Sequence, residues 1–210
     1  MKFIFVLVII LSWSAPLQQS SFPSAIQNDG ETLKLIIPKD TWEPIFFEEI
    51  NKRAKVAKLH DLRSTALPGD DLEIRVWKGF GLSPLEGLVL KRTSGRWSAL
   101  HLAGIRRGMT PSEYQQQLSL PKSGWDSFWK RMTEEGILIL PDSSELKGEK
   151  RIEDGVSYVV EINTDHTYRT YYYGNPDWQT WKEAKQMMKI SNIIAAEFGL
   201  RGFIIEEHAD

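Results

Sequence analysis

Two stretches patterned with a period of two constrain this chain more than any other feature. Leu72, Ile74 and Val76 alternate with Glu73, Arg75 and Trp77; a second extended run covers Leu85 to Arg92 and a third Arg96 to Leu102. Such alternation places one set of side chains on each face of a strand. Thr93-Ser94-Gly95 is a Gly-containing connection of hairpin type, and Gly79 to Pro84 makes a looser one before it. A three-stranded antiparallel meander is expected. Val156 to Ile162 and Thr167 to Tyr173 read as another hairpin. With Asn163 to His166 as a four-residue turn, Ile162 faces Thr167, Glu161 faces Tyr168 and Val160 faces Arg169. One face then carries Tyr158, Val160, Ile162, Arg169, Tyr171 and Tyr173. The other carries Val159, Glu161, Tyr168, Thr170 and Tyr172.

Three segments switch to helical spacing. Phe46, Ile50, Ala54 and Ala57 mark one face of a helix near 42–59, with Pro44 tolerable in its first turn and Lys52, Lys55 and Lys58 on a solvated side. Trp125, Phe128, Trp129 and Met132 stripe a helix near 125–135. Asn175-Pro176 reads as the opening of a third, near 177–198, closed by Gly199. Thr32 to Ile37, Ile137 to Leu140 and Phe203 to Ile205 read as short strands. Residues 104–123 are weakly patterned, as a long loop or a junction would be. The fold expected is α+β: antiparallel hairpins with about three helices packed on a sheet face, in a single domain over 31–210.

The N-terminus carries an address. Lys2 precedes the apolar run Phe3 to Leu11, and Ser12-Trp13-Ser14 offers small residues around a cleavage point. That order describes a secretory signal peptide over 1–14, followed by a flexible leader over 15–30. Nine helical residues span about 14 Å at ~1.5 Å each, under half of a ~30 Å hydrocarbon core. No membrane span is expected after cleavage, and the location expected is secreted or periplasmic, in a bacterium.

Composition narrows the chemistry. The 210 residues include no cysteine, which excludes disulfides, thiolate zinc sites and a Cys nucleophile. A net charge of −2 offers no electrostatic footprint for nucleic acid. His60, His101, His166 and His208 lack ligand spacing, so neither a metal nor another cofactor is expected. No GxSxG elbow occurs, and Gly79-Phe80-Gly81 leads into a strand, not a helix N-terminus.

Glu161 stands out because it interrupts an apolar strand. The simpler reading leaves it on a solvated face. On a half-buried face it needs a tyrosine hydroxyl or an arginine as partner. Aromatic residues cluster nearby: Trp125, Trp129 and Trp181 read as core, whereas Tyr172 and Trp178 are open between core and ligand contact.

The segment 124–195 resembles a pattern in secreted bacterial proteins of unassigned function. Its residues are Trp125-x-x-Phe128-Trp129, Leu140-Pro141-Asp142, Asp154-Gly155-x-x-Tyr158-x-x-Glu161 and Tyr168-Arg169-x-Tyr171-x-Tyr173-x-Asn175-Pro176. The resemblance implies secretion and a β-hairpin followed by a helix, and carries no activity or site residue.

The function expected first is that of a non-enzymatic binding protein for a glycan, a peptide or another protein. Its ligand surface would comprise Glu161, Tyr168, Arg169, Tyr172 and Trp178. A second reading is a hydrolase or lyase using Glu161, with Asp154 or Asp142 across a cleft as glycosidase carboxylates are arranged. A third is an assembly partner that pairs through a sheet edge.

Overall fold

The computed structural model describes residues 33–38, 43–80, 83–104, 114–148 and 155–205, all within the compact unit Glu31–Asp210. The signal-peptide segment, the leader, Asp154 and His208 lie outside the described residues, as does 105–113 within the expected junction. In chain order the elements are β1 (Lys34–Ile36), α1 (Glu43–Val56), β2 (Leu72–Phe80), β3 (Ser83–Thr93), β4 (Arg96–Leu102) and β5 (Gln115–Leu118). α2 (Trp125–Glu134), β6 (Ser157–Asn163), β7 (Thr167–Gly174) and α3 (Lys182–Phe198) follow.

The strands form one seven-stranded sheet in the order β1-β7-β6-β2-β3-β4-β5. Every pair is antiparallel except β1 with β7. The fold is α+β, and both sheet faces are covered. Ile74, Val76, Leu88, Leu90, Val160, Ile162, Tyr171 and Tyr173 pack on one face against Phe128 and Met132 of α2 and Met187, Ile190 and Ile194 of α3. On the other, Trp77, Val89, Val159 and Tyr168 pack against Phe47, Ile50 and Ala57 of α1. β2 sits in the middle of the sheet, and with both faces covered even its polar residues Glu73 and Arg75 are buried.

The meander is present, with a tighter second turn than expected. Thr93 pairs with Arg96, leaving a two-residue turn in which Ser94 and Gly95 both have positive φ (49° and 76°). That backbone matches the twist of the strands it joins. The β6–β7 hairpin keeps the expected faces, but its register is shifted by two residues: Ile162 pairs with Arg169 and Glu161 with Thr170. Asn163 belongs to the strand because its Nδ2 donates to the carbonyls of Leu62 (2.6 Å) and Thr65 (2.7 Å). A shift of two residues preserves facing, since the side-chain period is also two.

Four local expectations are corrected. Gln115–Leu118 is an edge strand paired with β4, where Gln117 Nε2 also donates to the Ala99 carbonyl at 2.8 Å. Ile137 to Leu140 is a turn, not a strand. Its carbonyls are taken by side chains of β7: the Tyr171 hydroxyl donates to Ile137 (2.9 Å), and Arg169 donates to Leu138 and Leu140. Asn175 adopts a left-handed conformation (φ 44°) before a single 3-10 turn, Pro176–Trp178, and α3 begins only at Lys182. Phe203 closes another 3-10 turn in place of a strand.

Candidate functional site

The site is built on the sheet face beneath α1. Glu73, Arg75 and Trp77 alternate along β2 and share this face with Glu161 and Asn163 of β6, which pair with Arg75 and Glu73 respectively. Tyr168 and Tyr172 of β7 lie on the same side. A continuous polar strip therefore crosses the middle of a covered sheet. Buried polar groups need partners, and nearly all of these have them.

Glu161 is 2% exposed, so the reading that left it on a solvated face is corrected. Trp77 Nε1 donates to its Oε2 at 2.7 Å, and the Tyr168 hydroxyl donates to its Oε1 at 2.9 Å. Trp77 reaches it because Gly87, its cross-strand partner, has no side chain: a Cβ there would lie 2.7 Å from the indole ring. Burial, and then the negative charge of Glu161, hold the Tyr168 hydroxyl well above the usual phenolic range. It therefore remains protonated and able to donate.

Arg75 is buried beside Glu161 but serves another carboxylate. Its Nε and Nη2 meet Glu73 Oε1 at 2.8 and 2.7 Å, and Nη2 also donates to the His60 carbonyl at 2.8 Å. His60 Nε2 and Lys91 Nζ lie 3.6 and 3.7 Å from Glu73 Oε2. Arg75 and Asn163 thus pin the segment after α1 to the sheet by its backbone carbonyls.

That segment and α1 wall a pocket of about 440 Å³, with Glu161 and Arg75 at its floor and Ile50 and Ala54 among its apolar lining. Asn51, Lys55, Lys58, His60, Asp61 and Arg63 also line it. Sites for small molecules typically enclose about 300–1,000 Å³. α1 ends at the pocket because Lys58 turns left-handed (φ 56°). Leu59 N then donates to the Ala54 carbonyl at 2.9 Å and Lys58 N to that of Lys55 at 3.1 Å, closing the helix end. Arg63 lies 4.5 Å over the Phe47 ring and donates to Asp61 Oδ1 (3.0 Å) and Asn51 Oδ1 (2.6 Å). Partial burial opposes ionisation of Asp61, but the hydrogen bonds from Arg63 outweigh it and lower the Asp61 pKa.

The five residues expected to form a ligand surface are divided between regions. Glu161 and Tyr168 meet. Tyr172 lies on the same face, where its ring centroid is 5.0 Å from that of Phe46 and its hydroxyl is 3.1 Å from Ser157 Oγ. Arg169 is on the opposite face, bound to the turn after α2. Trp178 is 47% exposed in the 3-10 turn beyond β7. Trp125, Trp129 and Trp181 pack against the core as expected. Asp142 caps a turn: Ser144 N donates to its Oδ1 at 3.0 Å and Tyr172 N to its Oδ2 at 2.8 Å. It does not line the pocket.

No family model matches this chain, and no curated protein or solved structure shows significant similarity to it. Among the described residues, no group of three or more His, Asp or Glu is placed to hold a metal ion, and no helix is long and apolar enough to cross a membrane.

Proposed function

We propose that this chain is an exported bacterial protein that binds a small molecule without transforming it, and that the ligand lodges between α1 and the sheet. Export rests on the pattern of residues 1–14. The observation that carries the binding reading is the placement of Glu161: a carboxylate buried to 2% exposure that nevertheless lines an open pocket of about 440 Å³. Charged groups held rigidly at the floor of a concave site give orientation and specificity to a ligand. This moves the binding surface from the hairpin end to the sheet face under α1.

Catalysis by a carboxylate pair is less well supported. The other carboxylate lining the pocket, among the described residues, is Asp61, which is engaged by Arg63. Glu161 is held by two neutral donors, an arrangement suited to a fixed acceptor.

Equilibrium dialysis against a metabolite extract, read by mass spectrometry, tests the proposal with wild type and Asn51→Trp side by side. Asn51 is exposed at the pocket wall, so an indole there obstructs the entrance without entering the core, at the cost of one of the two hydrogen bonds that Arg63 makes on the wall. Wild type should retain at least one small molecule that the variant releases. Equal retention by both proteins, or none by either, contradicts the proposal.

A further inference from the structure

Charge balance around the pocket identifies the class of ligand, on the premise that the pocket is the binding site. Glu73 and Arg75 form a buried ion pair at 2.7 Å. Arg63 and Asp61 form a second, at 3.0 Å, on the pocket wall. Glu161 forms none: its two oxygens accept only from an indole N–H and a phenol, both neutral. Its neighbour Glu73 is served by Arg75 and Lys91, whereas Glu161 meets no cation at hydrogen-bonding distance among the described residues and feels Arg63 of the pocket wall only through space. A carboxylate withdrawn from water is best compensated by a cation with hydrogen-bonding protons, and each Glu161 oxygen retains a lone pair beyond the donor it already meets.

The pocket wall presents the opposite charge. Lys55 and Lys58 are exposed on it, and neither makes an ion pair with a described residue. A ligand that is cationic throughout would be repelled there, and one that is anionic throughout would be repelled at the floor.

We infer that the pocket takes a zwitterionic amino compound, a free amino acid or a short peptide, with its ammonium on Glu161 and its carboxylate toward Lys55 and Lys58. The amine would donate to the free lone pairs of Glu161 without displacing Trp77 or Tyr168. The apolar side chains of Ile50 and Ala54 leave a nonpolar wall for the ligand's own side chain.

The test is a thermal-shift screen of the twenty free amino acids and alanylalanine on wild type. Calorimetric titration then follows for the best compound, its N-acetyl form and its C-terminal amide. At least one zwitterion should raise the melting temperature. Acetylation, which removes the cation, should weaken binding at least tenfold, and amidation should weaken it by less. Glu161→Gln, checked for folding by circular dichroism, should lose the preference for the free amine. Lys55→Glu with Lys58→Glu, both at exposed positions, should weaken the free acid more than its amide.

An N-acetyl form that binds as tightly as the amine overturns the inference. So does a screen in which no zwitterion binds. If the dialysis experiment still retains another compound that Asn51→Trp releases, the pocket reading stands and only the ligand assignment falls.

Discussion

The hydroxyl of Tyr168 donates to Glu161 Oε1 at 2.9 Å, although the two residues are not register partners: Glu161 pairs with Thr170, and Tyr168 with Asn163. The contact is diagonal across the hairpin and spans the buried face. It fixes the carboxylate from one side while Trp77 fixes it from the other.

Removing either donor leaves one oxygen of a buried carboxylate unsatisfied. Tyr168→Phe should therefore destabilise the fold by about 1–3 kcal/mol, measured by urea denaturation. Trp77→Phe should cost more, because it also vacates volume in a packed layer. In a Glu161→Gln background the Tyr168→Phe cost should shrink, since the acceptor is no longer charged.

Gly87 is required by close approach. Its φ lies outside the left-handed range, so the constraint is space: an added Cβ would sit 2.7 Å from two atoms of the Trp77 ring. Gly87→Ala should displace the indole, weaken its bond to Glu161 and destabilise the protein by about 1–3 kcal/mol. Altered tryptophan fluorescence together with a lower denaturation midpoint would verify this.

Acid should loosen the α2–α3 contact. Burial of Glu197 opposes its ionisation, but donation from Ser123 N to Oε2 (2.8 Å) and from Arg131 to Oε1 prevails and lowers its pKa below the ordinary 4.5. A depressed carboxylate contributes stability that is fully present above its unfolded pKa and is lost as pH falls through the folded one. Stability should thus be insensitive to this group near neutrality and fall below about pH 4.5. Glu197→Gln should flatten that part of the pH profile, and an unchanged slope would contradict the assignment.

Much of the sheet was readable from periodicity. The meander and both hairpin faces follow from alternation, and the faces survive a register shift of two because parity is unchanged. Glu161 was conspicuous as a charge within an apolar strand. Its partner Trp77 was not, because 84 residues separate them and only the adjacency of β2 and β6 brings them together. Glu73 and Arg75 alternate as residues on a solvated face do. They are buried because α1 returns over that face, and no pattern within β2 announces it. Lys55 and Lys58 are exposed as expected, yet the turn after α1 makes their face the wall of the pocket. The strand expected over Ile137 to Leu140 failed because Arg169 and Tyr171 satisfy carbonyls that a strand would offer to a neighbour. A short apolar run does not disclose which donors will meet it.

Glu161 forms the floor of the proposed binding pocket, and the Trp77 indole N–H, which donates to it, reports on it directly. The decisive measurement is a ¹H–¹⁵N NMR titration with a compound that wild type retains in dialysis, with the Trp77 and Trp178 indole signals assigned from Trp77→Phe and Trp178→Phe. With the ligand seated on Glu161, the Trp77 signal should move in a saturable manner while that of Trp178 stays in place. A saturable shift at Trp178 with Trp77 unmoved would put the ligand at the end of β7 and contradict that placement.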